Sequence, residues 1–309
     1  MKKILLGIIL LVLALIIIYG VTSYVSPETI YKAGIAAECR QAGLTEKSIK
    51  AAGHEVSYLE GGQGETVLLI HGFTADKSNW TRMARYLTPS YHVVAIDMPG
   101  FGKTGMQTDQ SYDISSQAER IQLIADALKL DKFHIAGNSM GGCISAKYAE
   151  IHPEQLLSLG LYGTGCVCSA EKSELHQLWE KGRNPFKIKT YEDYEGLLNM
   201  AFVKAPFMPA SIKRYIFKKQ QTRQAGYDRI MEDLRADWYC MDKESDNRQT
   251  DTFIIWGDKD RFCHVSSVEI LEKKFPKHQS IILKDCGHIP MFERPKDTAD
   301  HYLNFLKSL

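Results

Sequence analysis

The feature that most constrains the fold of this chain is the segment G-N-S-M-G at residues 137–141, with Ser139 at its centre. It follows the apolar run Phe133–Ala136 and opens a helical pattern from Gly141 to Ile151. A tight turn from a buried strand into a helix holds its central residue in a strained conformation and exposes the side chain. Glycines on either side let the strand and the helix approach without Cβ clashes. The segment therefore predicts a strand–turn–helix unit that presents Ser139 as a nucleophile.

Similar apolar runs recur along the chain, and each is followed by a turn that contains glycine. Continuous apolar runs bounded by turns are typical of strands buried on both faces. Helical patterns lie between them, for example from Ser115 to Leu130. Alternating strands and helices predict an α/β fold with a mostly parallel central sheet and helices on both sides. The predicted strands are Thr66–Ile70, His92–Ile96, Phe133–Ala136, Leu156–Tyr162, Thr252–Trp256 and Ser280–Leu283.

The stretch from Cys166 to Asn247 interrupts this alternation and contains no clear buried-strand run. It is too long for a structureless loop between two core strands, so we predict a helical cap. Its apolar and aromatic side chains either line an acyl pocket or form the small core of the cap, and we expect most of them to do the latter. They are Trp179, Tyr191, Tyr194, Met200, Phe202, Phe207, Met208, Tyr215, Phe217, Trp238 and Tyr239.

A serine hydroxyl needs a base, and in strand–turn–helix hydrolases the order along the chain is serine, acid, histidine. His288 follows the last predicted strand and is the expected base. Among the other histidines, His71 is assigned to a strand-end turn, His152 to a helix end, and His264 lies close to the loop that supplies the acid. That loop offers two carboxylates, Asp258 and Asp260, whereas Asp97 is assigned to a structural turn.

The transition state of acyl transfer needs hydrogen-bond donors for its oxyanion. The backbone N–H of Met140, directly after the nucleophile, is the first expected donor. The second should come from the early loop His71-Gly72-Phe73-Thr74. We predict the Phe73 N–H, with Thr74 as the alternative.

The N-terminus carries the strongest compositional bias in the chain. Lys2 and Lys3 precede the uncharged apolar run Ile4–Val21, which would span about 27 Å as a helix, close to the hydrocarbon thickness of a bilayer. A cleaved signal peptide is the alternative, although its apolar region is usually only about 7–15 residues and ends at a small-residue cleavage site. We therefore predict an uncleaved single-pass anchor. The two lysines favour an N-in orientation with the catalytic domain outside the cytoplasm.

Charge and cysteine content exclude several classes of function. The net charge of +1 gives no global electrostatic case for nucleic acid. Cys166 and Cys168 form a lone C-x-C without a second pair, so we expect no metal site. The chain has seven cysteines, an odd number that rules out complete internal pairing, and we expect most of them to be small buried residues.

Several segments resemble the α/β-hydrolase superfamily, and within it the membrane-anchored monoacylglycerol lipases and related bacterial lipases and esterases. They are HGFTADKSNW, DMPGFGKT, GNSMGG, IWGDKDRF and DCGHIPMFERP, with AGLTEKSIKAAGHEVSYLEGG as the lead-in. The resemblance implies a triad of Ser139, Asp260 and His288, with Asp260 preferred over Asp258. It also points to the backbones of Phe73 and Met140 for the oxyanion hole.

The resemblance leaves a second reaction open, because GNSMGG also occurs in meta-cleavage-product hydrolases, which cut a carbon–carbon bond with the same triad. Dehalogenases and epoxide hydrolases of this fold use an aspartate as nucleophile, and Ser139 argues against both. We expect an esterase that needs no cofactor and acts on a monoacylglycerol or a similar acyl ester. A non-catalytic membrane scaffold is the remaining alternative.

The expected organisation has five parts. Residues 1–24 form the anchor, 25–52 a linker or amphipathic segment, 53–165 the first part of the core, 166–248 the cap, and 249–309 the second part of the core.

Overall fold

The computed structural model describes residues 2–236, 239–244 and 249–309, and it shows an eight-stranded sheet covered by helices. The spatial order of the strands is β1-β2-β4-β3-β5-β6-β7-β8. The strands are β1 Thr45–Ala51, β2 His54–Gly61, β3 Thr66–Ile70, β4 His92–Ile96, β5 Phe133–Asn138, β6 Leu156–Tyr162, β7 Thr252–Gly257 and β8 His278–Leu283.

All pairings from β4 to β8 are parallel, whereas β1 pairs with β2 and β2 pairs with β4 in antiparallel fashion. The central strands β3, β5 and β7 are almost entirely buried, as expected for parallel strands covered on both faces. This confirms the predicted mostly parallel α/β-hydrolase sheet. The carboxyl ends of the parallel strands meet at one edge of the sheet, which is where ligands bind in such folds.

Apart from α1, whose contacts are with α2 and α8, the helices flank the sheet or cover the edge at which the parallel strands end. They are α1 Lys2–Val25, α2 Pro27–Gln41, α3 Thr81–Leu87, α4 Ile114–Leu128, α5 Met140–Ile151, α6 Glu174–Glu180, α7 Tyr191–Ala201, α8 Ala210–Ala236, α9 Ser267–Lys274, α10 Pro290–Glu293 and α11 Pro295–Leu306. Helix α4 is capped at its N-terminus by Asp113, whose carboxylate accepts a hydrogen bond from the Ser116 N–H, and at its C-terminus by Lys129 in a left-handed conformation.

Three helices, α6, α7 and α8, lie between β6 and β7, where the sequence predicts a helical cap. Helix α7 begins with a capping box formed by Thr190 and Asp193. Trp238, Asn247 and the predicted cap boundary at residue 248 lie outside the described residues. The division into core and cap stays a prediction.

One difference from the sequence analysis concerns residues 25–52, which were assigned to a linker or amphipathic segment. The structure forms α2 and the edge strand β1 there, so the sheet begins before residue 53. Strand β1 has the sequence TEKSIKA, and most of its side chains are exposed. An edge strand of this kind lacks the apolar run that marks a buried strand, because only one of its edges is paired and its faces are mostly solvated.

Helix α1 carries the predicted anchor. By length and composition, Ile4–Thr22 could cross a membrane, with a mean hydropathy of 3.2, although a signal sequence would meet the same criterion. Its described side chains are largely exposed, for example Ile4 at 70% and Leu11 at 60%. Large apolar side chains left in water at this density need another apolar environment to cover them.

Candidate active site

Ser139 lies at the turn from β5 into α5, with φ of 55° and ψ of −118°. A non-glycine residue rarely adopts a positive φ, and the strain is characteristic of a nucleophile held on a sharp strand-to-helix turn. The close approach of strand and helix explains the flanking glycines. A Cβ at Gly137 would lie 2.1 Å from the Gly141 carbonyl oxygen, and one at Gly141 would lie 2.4 Å from the Ile70 carbonyl oxygen.

His288 and Asp260 form a buried pair on the loops that follow β8 and β7. His288 Nδ1 lies 2.8 Å from Asp260 Oδ2. Because a carboxylate only accepts, Nδ1 carries the proton and donates it to Asp260, which leaves Nε2 free to act as a base. The other carboxylate oxygen, Oδ1, accepts the N–H groups of Phe262 and Cys263 at 2.8 and 2.9 Å. Both oxygens of the Asp260 carboxylate therefore accept hydrogen bonds, which fixes its orientation toward His288.

The loop that carries His288 is tied directly to the nucleophile turn. The Asn138 amide, next to Ser139, donates to the carbonyl oxygens of Tyr162 and His288 at 2.8 and 3.1 Å. The Ser139 N–H donates to the same Tyr162 carbonyl at 3.1 Å. The Phe262 ring lies against the imidazole of His288, with ring centroids 4.8 Å apart. The structure thus brings the three predicted triad residues to one edge of the sheet.

The competing acid, Asp258, is placed differently. Its Oδ1 accepts the Cys286 N–H at 3.5 Å, and its Oδ2 lies 3.9 Å from the ammonium groups of both Lys259 and Lys284. Asp258 therefore faces two surface lysines, whereas Asp260 faces the imidazole. This geometry favours Asp260 as the acid.

The histidines set aside in the sequence analysis have other roles. His71 is fully buried at the end of β3, where its Nε2 accepts the Met98 N–H at 3.1 Å and its Nδ1 donates to the Gly72 carbonyl at 2.8 Å. Burial lowers the pKa of His71, so the ring is neutral, as this bonding pattern requires. His152 lies at the C-terminal end of α5, and His264 bonds to Ser266.

Residues 71–76, which carry the predicted second oxyanion donor, are called the oxyanion loop. The loop is followed by Lys77, which forms a buried ion pair with Asp97. Lys77 Nζ lies 2.6 Å from Asp97 Oδ2, and the Lys77 N–H donates to Asp97 Oδ1 at 2.8 Å. Burial alone would lower the pKa of Lys77, but the carboxylates of Asp97 and Glu46 raise it above its ordinary value. Asp97 thus has the structural role that its position in the sequence predicts.

The two backbone N–H groups predicted to stabilise an oxyanion are those of Phe73 and Met140. Within the described part of the chain, neither the Phe73 N–H nor the Met140 N–H donates to a protein acceptor. Both residues line the same cavity as Ser139, whereas Thr74 does not. This favours Phe73 over Thr74 as the second donor.

The cavity above Ser139 has a volume of about 660 Å³ and a mainly apolar wall. Trp179 and Tyr239 are the lining residues that the sequence analysis named in the cap, whereas Tyr191, Tyr194 and Phe217 pack against one another. Several further lining residues could not be identified from the sequence, because apolar patterns do not tell which side chains on separate helices and loops face one common cavity. These are Ile114, Val167, Leu175, Phe186, Met231, Leu234 and Phe262.

Four cysteines form two disulfide bonds beside this cavity, Cys143–Cys166 and Cys168–Cys240. The expectation that most cysteines are small unpaired residues is therefore wrong. The first bond joins α5, the helix that follows Ser139, to the loop after β6. The second joins Cys168, before α6, to Cys240, after α8, so the loop that it closes contains α6, α7 and α8. The neighbouring cysteines Cys166 and Cys168 were the sequence signal for these two disulfides, although their C-x-C spacing was considered only as an incomplete metal site.

Asp260, Cys263 and His288 offer ligand atoms within 4.8 Å of one another, so a metal site needs to be considered. Burial raises the pKa of the Cys263 thiol well above its ordinary value, so the thiol stays protonated. Metal coordination needs the thiolate. The Asp260 carboxylate is already engaged by the imidazole and two N–H groups. The donor set fits an acid–base pair better than a metal centre.

Comparison with known proteins agrees with this geometry. Residues 65–188 and 208–295 match the family described as alpha/beta hydrolase fold. The chain is 33% identical to Lipase 1 of Psychrobacter immobilis over 87% of this chain and 86% of that protein. It is 29% identical to monoacylglycerol lipase ABHD6 of Rattus norvegicus over 80% of this chain and 77% of that protein.

A solved structure described as a membrane phospholipase A, a bacterial virulence factor, superposes with a TM-score of 0.90. The two chains are 42% identical, and the match covers 100% of this chain and 99% of the other. These matches confirm the resemblance to lipases that the sequence motifs indicate. The chain belongs to the α/β-hydrolase family.

Proposed function

We propose that this protein is a serine hydrolase that cleaves carboxylic esters of lipid type, with Ser139, His288 and Asp260 as its catalytic triad. The observation that carries the proposal is the buried hydrogen bond of 2.8 Å between His288 and Asp260, at the same edge of the sheet as Ser139, which lines a mainly apolar cavity. The lipases among its relatives support ester cleavage.

The reaction follows from the roles of these groups. Ser139 Oγ attacks the ester carbonyl carbon while His288 Nε2 takes its proton, and Asp260 stabilises the imidazolium that results. The N–H groups of Phe73 and Met140 stabilise the negative charge on the carbonyl oxygen. The C–O bond to the alcohol then breaks, and His288 returns the proton to the leaving alcohol. Water activated by His288 hydrolyses the acyl-enzyme and releases the acid.

The cavity favours an acyl ester as substrate. Its wall is mainly apolar, and its volume of about 660 Å³ lies in the range of pockets that bury most of a small ligand. An apolar α1 that anchors the enzyme to a bilayer would deliver lipid esters to this cavity. We therefore favour a monoacylglycerol or a related acyl ester over the soluble product of ring cleavage that a carbon–carbon hydrolase would take.

We also propose that α1 stays attached as a single-pass anchor and that the catalytic domain lies outside the cytoplasm. Lys2 and Lys3 favour this orientation. The two disulfides support it independently, because disulfides persist in oxidising compartments and are rare in the cytosol.

The test is turnover by the purified full-length protein. We expect hydrolysis of glyceryl monooleate and of p-nitrophenyl esters, and no turnover of a ring-fission dienoate. Ser139→Ala should abolish hydrolysis and labelling by a fluorophosphonate probe. Turnover of the dienoate without ester hydrolysis would favour the carbon–carbon reaction. An unlabelled wild-type protein would favour a scaffold.

A further inference from the structure

The cap helix α8 lies directly against the oxyanion loop. Gln220 Nε2 donates to the carbonyl oxygen of Thr74 at 3.0 Å, and the ammonium of the adjacent Lys219 lies 3.5 Å from Asp76 Oδ2. These two contacts connect the cap with a loop of the core about 146 residues earlier in the chain. The oxyanion loop therefore has two supports: its contacts with α8, and the Lys77–Asp97 ion pair that follows it.

The loop needs this support because its backbone is strained. Thr74 has φ of 60°, a left-handed conformation that is unfavourable for a β-branched residue. Such a conformation persists only where the surroundings impose it. The Thr74 carbonyl follows the peptide units that carry the N–H groups of Phe73 and Thr74. A hydrogen bond that fixes this carbonyl also limits rotation of those N–H groups away from the cavity.

Gln220 is poorly explained by stability alone. Its amide oxygen Oε1 is buried and has no hydrogen-bond partner among the described residues. An unsatisfied buried acceptor costs free energy that an apolar side chain of the same size would avoid. The opposite amide orientation would place Oε1 against the Thr74 oxygen, which is repulsive, so the donor must face the loop. The side-chain amide of Gln220 thus donates to the loop, while its oxygen has no partner among the described residues.

Helix α8 is itself supported by α2, the helix that follows the apolar α1. The rings of Tyr31 and Tyr215 lie 5.6 Å apart, and the Lys219 ammonium lies 5.4 Å above the Tyr31 ring. Burial would raise the pKa of the Asp76 carboxyl, but Lys219 and Ser78 lower it below its ordinary value, so the carboxylate that Lys219 faces is charged. These contacts fix the position of α8 above the loop.

We propose that Gln220 is a positioning residue for catalysis, whose hydrogen bond to the Thr74 carbonyl keeps the oxyanion donor of the 71–76 loop pointing into the cavity. Gln220 is not among the residues that line the cavity, so it acts through the loop backbone. This inference rests on the proposed ester hydrolysis. It assigns to the cap a part in transition-state stabilisation in addition to covering the acyl cavity.

The test compares Gln220→Met with Gln221→Met in the full-length protein. Methionine keeps the length of the side chain and removes the donor. Gln221 is the matched control, because it is the next residue on α8 and its exposed amide donates to the Lys189 carbonyl at 2.7 Å, away from the 71–76 loop. We expect kcat for p-nitrophenyl butyrate to fall about tenfold in Gln220→Met, equivalent to about 1.4 kcal/mol. KM should stay within about twofold, and Gln221→Met should match the wild type.

The two proposals fail in different ways. If the wild type hydrolyses no ester, the proposed function fails. If the wild type is active and folded Gln220→Met retains its kcat, or if Gln221→Met loses as much, the positioning role is wrong. Thermal unfolding followed by circular dichroism establishes that each variant is folded.

A second variant, Gln220→Glu, gives a readout that a purely structural role would not change. A protonated glutamic acid can still donate to the Thr74 carbonyl, whereas the carboxylate repels it. We expect the ratio of variant to wild-type kcat to rise as the pH is lowered toward the pKa of the introduced carboxyl group. A ratio that is constant with pH would contradict the proposal. Because this measurement uses Gln220→Glu, it tests the positioning role even if Gln220→Met fails to fold.

Discussion

Removal of the Cys168–Cys240 disulfide should destabilise the protein strongly, because this bond closes a long loop that contains three helices. The two cysteines are 72 positions apart, and α6, α7 and α8 lie between them. In the chain-entropy description of a crosslink, a closed loop of this length stabilises the native state by about 4 kcal/mol. The shorter Cys143–Cys166 loop, with a separation of 23 positions, gives about 3 kcal/mol.

A loss of this size is large against the 5–15 kcal/mol by which most domains are stable. We expect Cys168→Ser/Cys240→Ser to lower the melting temperature by about 8–16 °C, from about 2–4 °C for each kcal/mol. The effect of Cys143→Ser/Cys166→Ser should be smaller by about a quarter. Which of the two double variants melts at the lower temperature is a sharper test than either absolute value, because errors of the entropy model that affect both values cancel.

The assays are thermal unfolding and urea unfolding, both followed by circular dichroism, with thiol titration of the denatured proteins. Cys39→Ser is the control, because Cys39 is an unpaired cysteine of α2. It should leave the unfolding free energy within about 0.5 kcal/mol of the wild type. The denatured wild type should show three free thiols, those of Cys39, Cys263 and Cys286. Seven free thiols, or a Cys168→Ser/Cys240→Ser variant as stable as Cys39→Ser, would refute the reasoning.

Three further outcomes follow from the site. Asp260→Asn should lower kcat by about 10⁴-fold because the imidazole loses its orienting carboxylate, whereas Asp258→Asn should lower kcat far less. Equal losses of kcat in steady-state assays would contradict the assignment of Asp260 as the acid. Lys77→Met should lower the free energy of unfolding by about 3–5 kcal/mol, since it leaves the Asp97 carboxylate buried without its partner, and a change below about 1 kcal/mol by urea titration would disprove this. The pKa of His71 is depressed by burial, so the unfolded state binds a proton more readily and the wild type should lose stability as the pH falls below about 6.5. Unfolding measured between pH 7 and 5 should show a shallower loss in His71→Asn, and an unchanged slope would argue against a neutral buried ring.

Helix α8 carries a cluster of basic side chains, and tertiary contacts decide what they face. Lys213, Arg214, Lys218, Lys219 and Arg223 could contact anionic head groups or form a solvated helix face. In the structure Lys219 faces Asp76, Arg223 donates to the Gly102 carbonyl at 2.7 Å, and Arg214 lies over the Tyr191 ring. Three of the five cations thus contact other parts of the chain, which leaves little of the cluster for a membrane surface.

Local sequence was sufficient for the fold class and for most of the candidate site. The apolar runs of β3 to β7 mark strands that are largely buried because parallel strands inside the sheet are covered on both faces, whereas the apolar run of β8 belongs to a mostly unburied edge strand. The G-N-S-M-G segment marks the predicted nucleophile turn because only glycine tolerates such close backbone contact. Chain order then points to His288 and narrows the acid to two aspartates. The exposed edge strand β1 escaped detection because nothing in its own sequence requires burial.

What only the tertiary structure decided are the contacts between segments distant in sequence. It placed Asp260 at the imidazole and Asp258 among lysines, although the two lie in the same loop. It joined Cys168 to Cys240 and set Gln220 against the Thr74 carbonyl. The physical reason is that propensity and periodicity describe what each segment buries, whereas partners across the fold depend on how the cap packs on the sheet.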